Sequence, residues 1–123
     1  MTAKIRLLVV DDQETTRLGV LAVLKISAYI EAIQQAANGR EALTLIEETQ
    51  FDVVLMDARM PVMNGIEATR LIKDRWPEIK VIVYSMYTSY EGQGKVAGAD
   101  RFLLKGSTNR SLEDIIKEVD FSG

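Results

Sequence analysis

Four apolar runs in this chain each end in polar side chains of the kinds that bind metals and phosphate. Asp57 ends the run that begins at Phe51. The groups that follow the other three runs are Asp11, Asp12, Ser85 and Lys105. If each run is a strand of one parallel sheet, all of these groups lie at the carboxyl edge, where such sheets bind ligands. The spacing therefore predicts one site with three carboxylates, a hydroxyl and an ammonium group.

The three acids could hold a hard cation, because carboxylate oxygens are its preferred ligands. Histidine and cysteine are both absent, so the sequence offers neither an imidazole nor a thiolate for metal or acid-base chemistry. Asp11 and Asp12 are adjacent and repel each other, and a bound cation would relieve that repulsion. Asp12 could instead cap the helix that follows it. Ser85 and Lys105 also have ordinary alternatives, as a hydroxyl after a strand and as a solvated amine.

The apolar runs have the pattern of strands that are buried on both faces, as in a parallel sheet. Runs rich in branched residues cover 5–10, 53–56, 81–84 and 102–104. Apolar residues at helical spacing predict helices after residue 12, after residue 38, over 65–76 and over 112–119. The segment 29–37 should be the second strand, although its alanines also allow a helix. With a helix expected at 90–98, the elements make a fivefold β-α alternation.

Composition is that of one small domain with an ordinary core. The chain has 123 residues, of which 47% are hydrophobic, and we expect a single domain over 1–123. A net charge of -3 gives this chain no electrostatic basis for binding nucleic acid directly. No apolar stretch approaches the roughly 20 residues that span a bilayer. We therefore expect a cytoplasmic protein that does not bind membranes.

The chain resembles the receiver domains of two-component response regulators over almost its whole length. The motifs that carry the resemblance are Val9-Val10-Asp11-Asp12, Asp57-Ala58-Arg59-Met60-Pro61-Val62-Met63-Asn64-Gly65, Ala97-Gly98-Ala99-Asp100 and Phe102-Leu103-Leu104-Lys105. The resemblance implies an α/β fold of the flavodoxin-like, doubly wound (βα)5 type. Its parallel sheet would have five strands in the order 2-1-3-4-5. The Lys105-Gly106 junction is most similar to that of regulators with a LuxR-type DNA-binding output.

The same resemblance implies a role for each residue of the predicted site. Asp57 would be the phosphoacceptor, and Mg²⁺ would be held by Asp12 and Asp57 with help from Asp11. Ser85 would contribute a hydroxyl, and Lys105 would contribute a phosphate-binding amine. These assignments agree with the chemistry, because a carboxylate can attack phosphorus only when the negative charge of both groups is neutralised.

Mg²⁺ coordination adds one further residue to the predicted site. The ion keeps several waters and takes one or two carboxylates, which fits Asp12, Asp57 and the backbone carbonyl of Arg59. Lys105 would then supply a point charge to one phosphoryl oxygen. Ser85 would offer its hydroxyl to another, so the loose transition state would have a partner for each equatorial oxygen.

The function implied by the resemblance is a phosphorylation-dependent switch that modifies itself and is not an enzyme for a separate substrate. Phosphorylation would draw the Ser85 hydroxyl inward and let Phe102 turn from exposed to buried, changing the face made by the fourth helix, fifth strand and fifth helix. The phosphoryl donor would be a sensor histidine kinase or a phosphotransfer protein, because the chain has no histidine. A homodimer is compatible with this function. DNA would be contacted only through an output domain absent from this chain, and that output would control transcription.

Three residues depart from the family's habit and leave an alternative open: a receiver-like interaction module that signals without phosphorylation. Met86 stands where the family usually has a small residue, so we expect slower phosphoryl chemistry. Gly92 and Gly94 each cost about 1 kcal/mol relative to alanine in a helix, so the helix at 90–98 should be short or mobile. A nucleotide- or flavin-binding protein is disfavoured, because the turn at Asp11 and Asp12 has no glycine-rich phosphate loop.

Overall fold

A five-stranded parallel sheet forms the centre of the fold in a computed structural model that describes residues 4–106 and 111–121. The strands are β1 Ile5–Val10, β2 Ile30–Ala36, β3 Val53–Asp57, β4 Lys80–Ser85 and β5 Arg101–Leu104. Their order in the sheet is β2-β1-β3-β4-β5, and every neighbouring pair is parallel. The expected strand order is therefore confirmed. The segment 29–37, for which the sequence allowed a strand or a helix, contains strand β2, which pairs with β1 along its length.

Within the described residues, five helices connect the strands and flank the sheet. They are α1 Glu14–Leu24, α2 Gly39–Glu48, α3 Gly65–Arg75, α4 Glu91–Ala97 and α5 Leu112–Phe121, and a 3-10 turn at Thr88–Tyr90 precedes α4. The fourth helix has only seven residues and is followed by Gly98, whose φ of 102° suits a glycine. This confirms that the segment is short. In the parts of the chain that the structure describes, no helix has the length and apolar character of a membrane span.

The two faces of the sheet bury two separate apolar clusters. One packs against α2 and α3 and includes Val54, Val83 and Ile72. The other packs against α1 and α5 and includes Leu55, Ile82 and Ile116. Successive strand residues point to opposite faces, so an uninterrupted apolar run supplies side chains to both clusters. This explains why the strands of this chain do not alternate apolar and polar residues.

Side-chain caps fix the starts of three helices. The Oδ1 atoms of Asn38 and Asn64 accept hydrogen bonds from backbone N–H groups in the first turns of α2 and α3. Ser111 does the same for α5 through its hydroxyl oxygen. Each cap satisfies a backbone donor that has no partner within its helix. Each of these three helices therefore begins at a fixed residue.

Candidate functional site

A cleft at the carboxyl edge of the sheet brings together most of the residues that the sequence analysis singled out. Its volume is about 520 Å³, and its lining includes Asp12, Asp57, Arg59, Ser85 and Lys105. Asp57 and Ser85 are the last residues of β3 and β4, while Lys105 follows β5 directly. Asp11 follows β1 and lies next to the cleft, where it is completely buried. The convergence follows from the parallel arrangement, which puts all of these strand ends at one edge.

The three acids form one cluster around this edge. One carboxylate oxygen from each of Asp11, Asp12 and Asp57 lies within 4.8 Å of the other two. The cause is the pairing of β1 with β3, which brings the two strand ends side by side. Asp11 is 0% exposed and Asp57 is 6% exposed, whereas Asp12 is open to solvent. Two of the three carboxylates have therefore lost most of their contact with water.

The surroundings of Asp57 favour its neutral form. The pKa of Asp57 is raised from its ordinary value of 3.8 to about 6, chiefly by burial and next by repulsion from the Asp11 carboxylate. The Lys105 ammonium and a hydrogen bond with the backbone of Arg59 act in the opposite direction. The pKa nevertheless stays above its ordinary value, so Lys105 does not compensate fully for burial and for the second acid.

Lys105 lies between the two buried carboxylates. Its Nζ atom is 3.1 Å from Oδ2 of Asp11 and 3.4 Å from Oδ1 of Asp57. The Lys105 side chain is 22% exposed, so its ammonium is screened less by water than one at the surface. The amine is therefore placed where it could also contact a group attached to Asp57.

The acid cluster has the chemistry that a Mg²⁺ ion requires. Its three carboxylates are oxygen ligands of the kind that Mg²⁺ prefers, and Asp12 faces the cleft. A divalent cation would also offset the repulsion from Asp11 that raises the pKa of Asp57. Arg59 borders the same cleft. The donor set thus fits the ion, while the use of the Arg59 carbonyl as a ligand stays a prediction.

Ser85 is buried at the end of β4, with 1% of its surface exposed. Its hydroxyl oxygen accepts a hydrogen bond of 3.0 Å from the backbone N–H of Tyr87, which leaves its proton to donate elsewhere. The next residue, Met86, is 70% exposed and lines the cleft. The Met86 side chain, which we expected to slow the phosphoryl chemistry, therefore lies at the cleft itself.

Phe102 occupies the second position of β5 and is neither fully exposed nor fully buried. It packs against the apolar cluster on the α2 and α3 side, and it pairs in register with Val83. Ser85 pairs with Leu104, two positions further along β5. The predicted switch residues therefore lie on neighbouring strands but are not register partners, and their coupling stays a prediction.

The loop after Asp57 passes very close to the site. A Cβ atom at Gly65 would lie 1.9 Å from the backbone oxygen of Asp57, so only glycine fits there. Gly65 also donates its N–H to the Ala58 carbonyl oxygen at 3.0 Å. Within this loop Val62 has a φ of 68°, a left-handed conformation that is rare for a β-branched residue. The backbone that holds Asp57 is thus fixed by a close approach and includes one strained residue.

Two details of the site differ from what sequence reasoning considered. The N-cap of α1 is Gln13, not Asp12, so the capping alternative for Asp12 is wrong. The second is Tyr84, which the sequence did not predict as part of the site and whose hydroxyl donates a hydrogen bond of 2.6 Å to Oδ2 of Asp11. The available signal was a tyrosine within the otherwise aliphatic end of β4, because a buried phenol needs a hydrogen-bond partner.

The sequence matches a known family over most of its length. The family profile described as response regulator receiver domain covers residues 7–117. The transcriptional regulatory protein LnrK of Bacillus subtilis (strain 168) is 37% identical over 120 residues, which cover 94% of this chain and 52% of LnrK. The chain spans about half the length of the curated relatives it matches.

Solved structures with the same fold include other regulators. A LuxR-family two-component response regulator from Aurantimonas sp. SI85-9A1 has a TM-score of 0.88 and 28% identity, covering 96% of this chain and 86% of that one. The response regulator protein TrrA from Thermotoga maritima, in complex with Mg²⁺-BeF, has a TM-score of 0.83 and 29% identity. That match covers 97% of this chain and 99% of TrrA.

Proposed function

This chain belongs to the response regulator receiver domain family, and we propose that it accepts a phosphoryl group on Asp57 and thereby switches a signalling output. The observation that carries the proposal is the cluster around Asp57, in which two further carboxylates and the Lys105 amine surround its carboxylate. An acid cluster with one amine, at the carboxyl edge of a parallel sheet, suits phosphoryl transfer to a carboxylate.

In the proposed reaction, a carboxylate oxygen of Asp57 forms a bond to phosphorus. The bond between phosphorus and the donor's leaving atom breaks, and the leaving group takes that electron pair. With a phosphohistidine donor the leaving group is the imidazole nitrogen of the partner, and with acetyl phosphate it is acetate. The chain contains no histidine, so a phosphohistidine donor lies outside this chain. Hydrolysis of the acyl phosphate by water later restores Asp57.

Mg²⁺ would be held by Asp11, Asp12, Asp57 and the backbone carbonyl of Arg59. When bound, the ion supplies positive charge that lets two anionic groups approach each other. Lys105 provides a second positive charge from its place 3.4 Å from Asp57, where it can bind a phosphoryl oxygen.

The Ser85 hydroxyl would hold another phosphoryl oxygen. It lies at the end of the strand next to β3, and its oxygen already accepts a hydrogen bond from Tyr87, so its proton is available to the phosphoryl group. A shift of Ser85 toward that group would change the packing around Phe102 on the adjacent strand. The surface formed by α4, β5 and α5 would transmit this change. The domain therefore catalyses its own phosphorylation and dephosphorylation, and its product is a conformational state.

Partners of the proposed switch follow from the family and from the relatives' names. The phosphoryl donor would be a sensor histidine kinase or a phosphotransfer protein, and the domain would occupy residues 1–123. Relatives such as LnrK are transcriptional regulators about twice as long as this chain. We therefore propose that DNA is contacted through a separate output domain, that the phosphorylated domain can form a homodimer, and that the protein works in the cytoplasm.

Intact-protein mass spectrometry tests the chemistry. Incubation with acetyl phosphate and Mg²⁺ should add one phosphoryl group to the wild-type chain, and a chelator should prevent it. Asp57→Asn should give no adduct, because it lacks the nucleophilic oxygen. Asp74→Asn is the matched control: this residue is an exposed aspartate on α3 and should leave phosphorylation unchanged.

Two results would contradict the proposal. An adduct that forms equally in Asp57→Asn would move the phosphoacceptor elsewhere. No adduct in the wild-type chain, together with no binding of beryllium fluoride, would leave an interaction module that signals without phosphorylation. The short α4 and the exposed Met86 would then be the features to examine, since both distinguish this chain from the family pattern.

A further inference from the structure

Tyr84 makes a buried hydrogen bond inside the acid cluster. It lies in β4 directly before Ser85 and is 6% exposed, and its ring packs in the apolar cluster on the α1 and α5 side. Its hydroxyl donates to Oδ2 of Asp11 at 2.6 Å, although the two residues are 73 positions apart in sequence. Burial and the neighbouring carboxylate both raise the pKa of the Tyr84 phenol, so its proton stays in place as a donor.

Asp11 is held on both of its oxygens. Oδ1 accepts the backbone N–H of Gln13 at 2.9 Å. Oδ2 accepts from the Tyr84 hydroxyl at 2.6 Å and from Nζ of Lys105 at 3.1 Å. A fully buried carboxylate is stable only when it has such donors, since water cannot supply them. The orientation of Asp11 is therefore set by three groups from three parts of the chain.

The Tyr84 ring also contacts Lys105 directly. Nζ of Lys105 lies 4.4 Å from the centre of the ring, within the range of a cation-π interaction. The same ammonium is 3.4 Å from Oδ1 of Asp57. Tyr84 thus acts on Lys105 twice, once through its ring and once through the carboxylate oxygen that the two residues share.

We propose that Tyr84 is a positioning residue for phosphoryl transfer: it directs Lys105 to Asp57 and lets that amine leave Asp11. When Asp57 gains a phosphoryl group, Lys105 must bind a phosphoryl oxygen. The Tyr84 hydroxyl then remains on Asp11, so the buried carboxylate keeps a donor. Without the hydroxyl, Asp11 would hold the amine more tightly. This inference rests on the proposed function.

The first test measures the contact in metal-free protein, where phosphorylation plays no part. Urea unfolding midpoints are compared for Tyr84→Phe, Asp11→Ala and the double variant. If the hydroxyl and the carboxylate interact in solution, the midpoint shift of the double variant will differ from the sum of the two single shifts. Additive shifts would mean that the contact is absent, and the inference would fail.

The second test measures the maximal phosphorylation rate at saturating Mg²⁺ and acetyl phosphate. Tyr84→Phe keeps the ring and loses only the hydroxyl, and its rate should fall about tenfold, the size expected for one hydrogen bond to a charged group. Tyr84→Leu also loses the ring and should fall further. Tyr29→Phe removes a phenol next to the start of β2, at the opposite edge of the sheet, and is the control.

A role limited to packing would leave the maximal rate of folded Tyr84→Phe at the wild-type value, even if the Mg²⁺ needed for half-saturation changed. That result would overturn the positioning role. Circular dichroism establishes that each variant is folded before its rate is compared. If the wild-type chain itself forms no adduct and binds no beryllium fluoride, the proposed function fails. If the wild-type chain and Tyr84→Phe react at equal rates, this inference alone fails.

Discussion

Replacing Asp57 with asparagine should stabilise the metal-free protein at neutral pH. The substitution keeps the shape of the side chain and removes a buried charge that Asp11 repels. The fold raises the pKa of Asp57 from 3.8 to about 6. That difference corresponds to about 3 kcal/mol at most, and local relaxation will reduce it. We therefore expect Asp57→Asn to raise the free energy of unfolding by roughly 1–3 kcal/mol at pH 7.5.

The effect of Asp57→Asn should depend on pH in a defined direction. Well below pH 3.8 the Asp57 carboxyl is protonated in the folded and the unfolded chain, so removing its charge changes little. Between pH 4 and 6 the unfolded chain loses this proton first, so the wild-type protein loses stability relative to the variant as pH rises. Above about pH 6 the difference should reach its full value and remain constant.

Urea unfolding at pH 4.5, 6 and 7.5 with a chelator measures this difference, and Trp76, the one tryptophan of the chain, supplies a fluorescence signal. Asp74→Asn, which removes an exposed carboxylate, is the control variant at each pH. Mg²⁺ at 100 times its dissociation constant should stabilise the wild-type protein by about 2.7 kcal/mol and the variant by less. A variant that is less stable at pH 7.5, or a difference that is equal at all three pH values, would refute the reasoning.

Further predictions concern the backbone beside the site and access to it. Gly65→Ala should destabilise the protein by roughly 3 kcal/mol or more, because its Cβ would overlap the Asp57 carbonyl oxygen. Gly92→Ala should instead stabilise it by about 1 kcal/mol, since nothing lies within 4 Å of a Cβ there; urea unfolding measures both, and equal effects would contradict the steric argument. Met86→Ala should speed phosphorylation and dephosphorylation by roughly two- to fivefold by opening the cleft; unchanged rates in the mass-spectrometric assay would show that Met86 does not limit access.

Much of the fold could be predicted because its signals are local. The runs of branched residues identify the strands, and Asn38, Asn64 and Ser111 mark helix starts through caps that the structure contains. The second strand was ambiguous in sequence, because its pairing with β1 decides its conformation more than its own side chains do. Such pairing joins residues far apart in the chain, which periodicity cannot reveal.

The candidate site was predictable in its location but not in its internal contacts. Parallel strand ends share one edge, so the positions of Asp57 and Lys105 could be inferred from the chain alone. The placement of the side chains decides which carboxylate oxygens the Lys105 amine contacts. It also decides how far burial raises the pKa of Asp57. Tyr84 was missed because its partner, Asp11, follows a different strand, β1.

The strained conformation of Val62 has a consequence for how this domain could evolve or be engineered. A β-branched residue at a φ of 68° costs about 1–2 kcal/mol relative to glycine or asparagine, which adopt that conformation more readily. Val62 is 75% exposed and contributes little to the core. Replacing Val62 with glycine or asparagine would therefore relieve this strain and stabilise the domain without changing the acids or the amine of the site. In evolution or in engineering, that gain in stability could offset destabilising substitutions elsewhere in the domain while its chemistry stays the same.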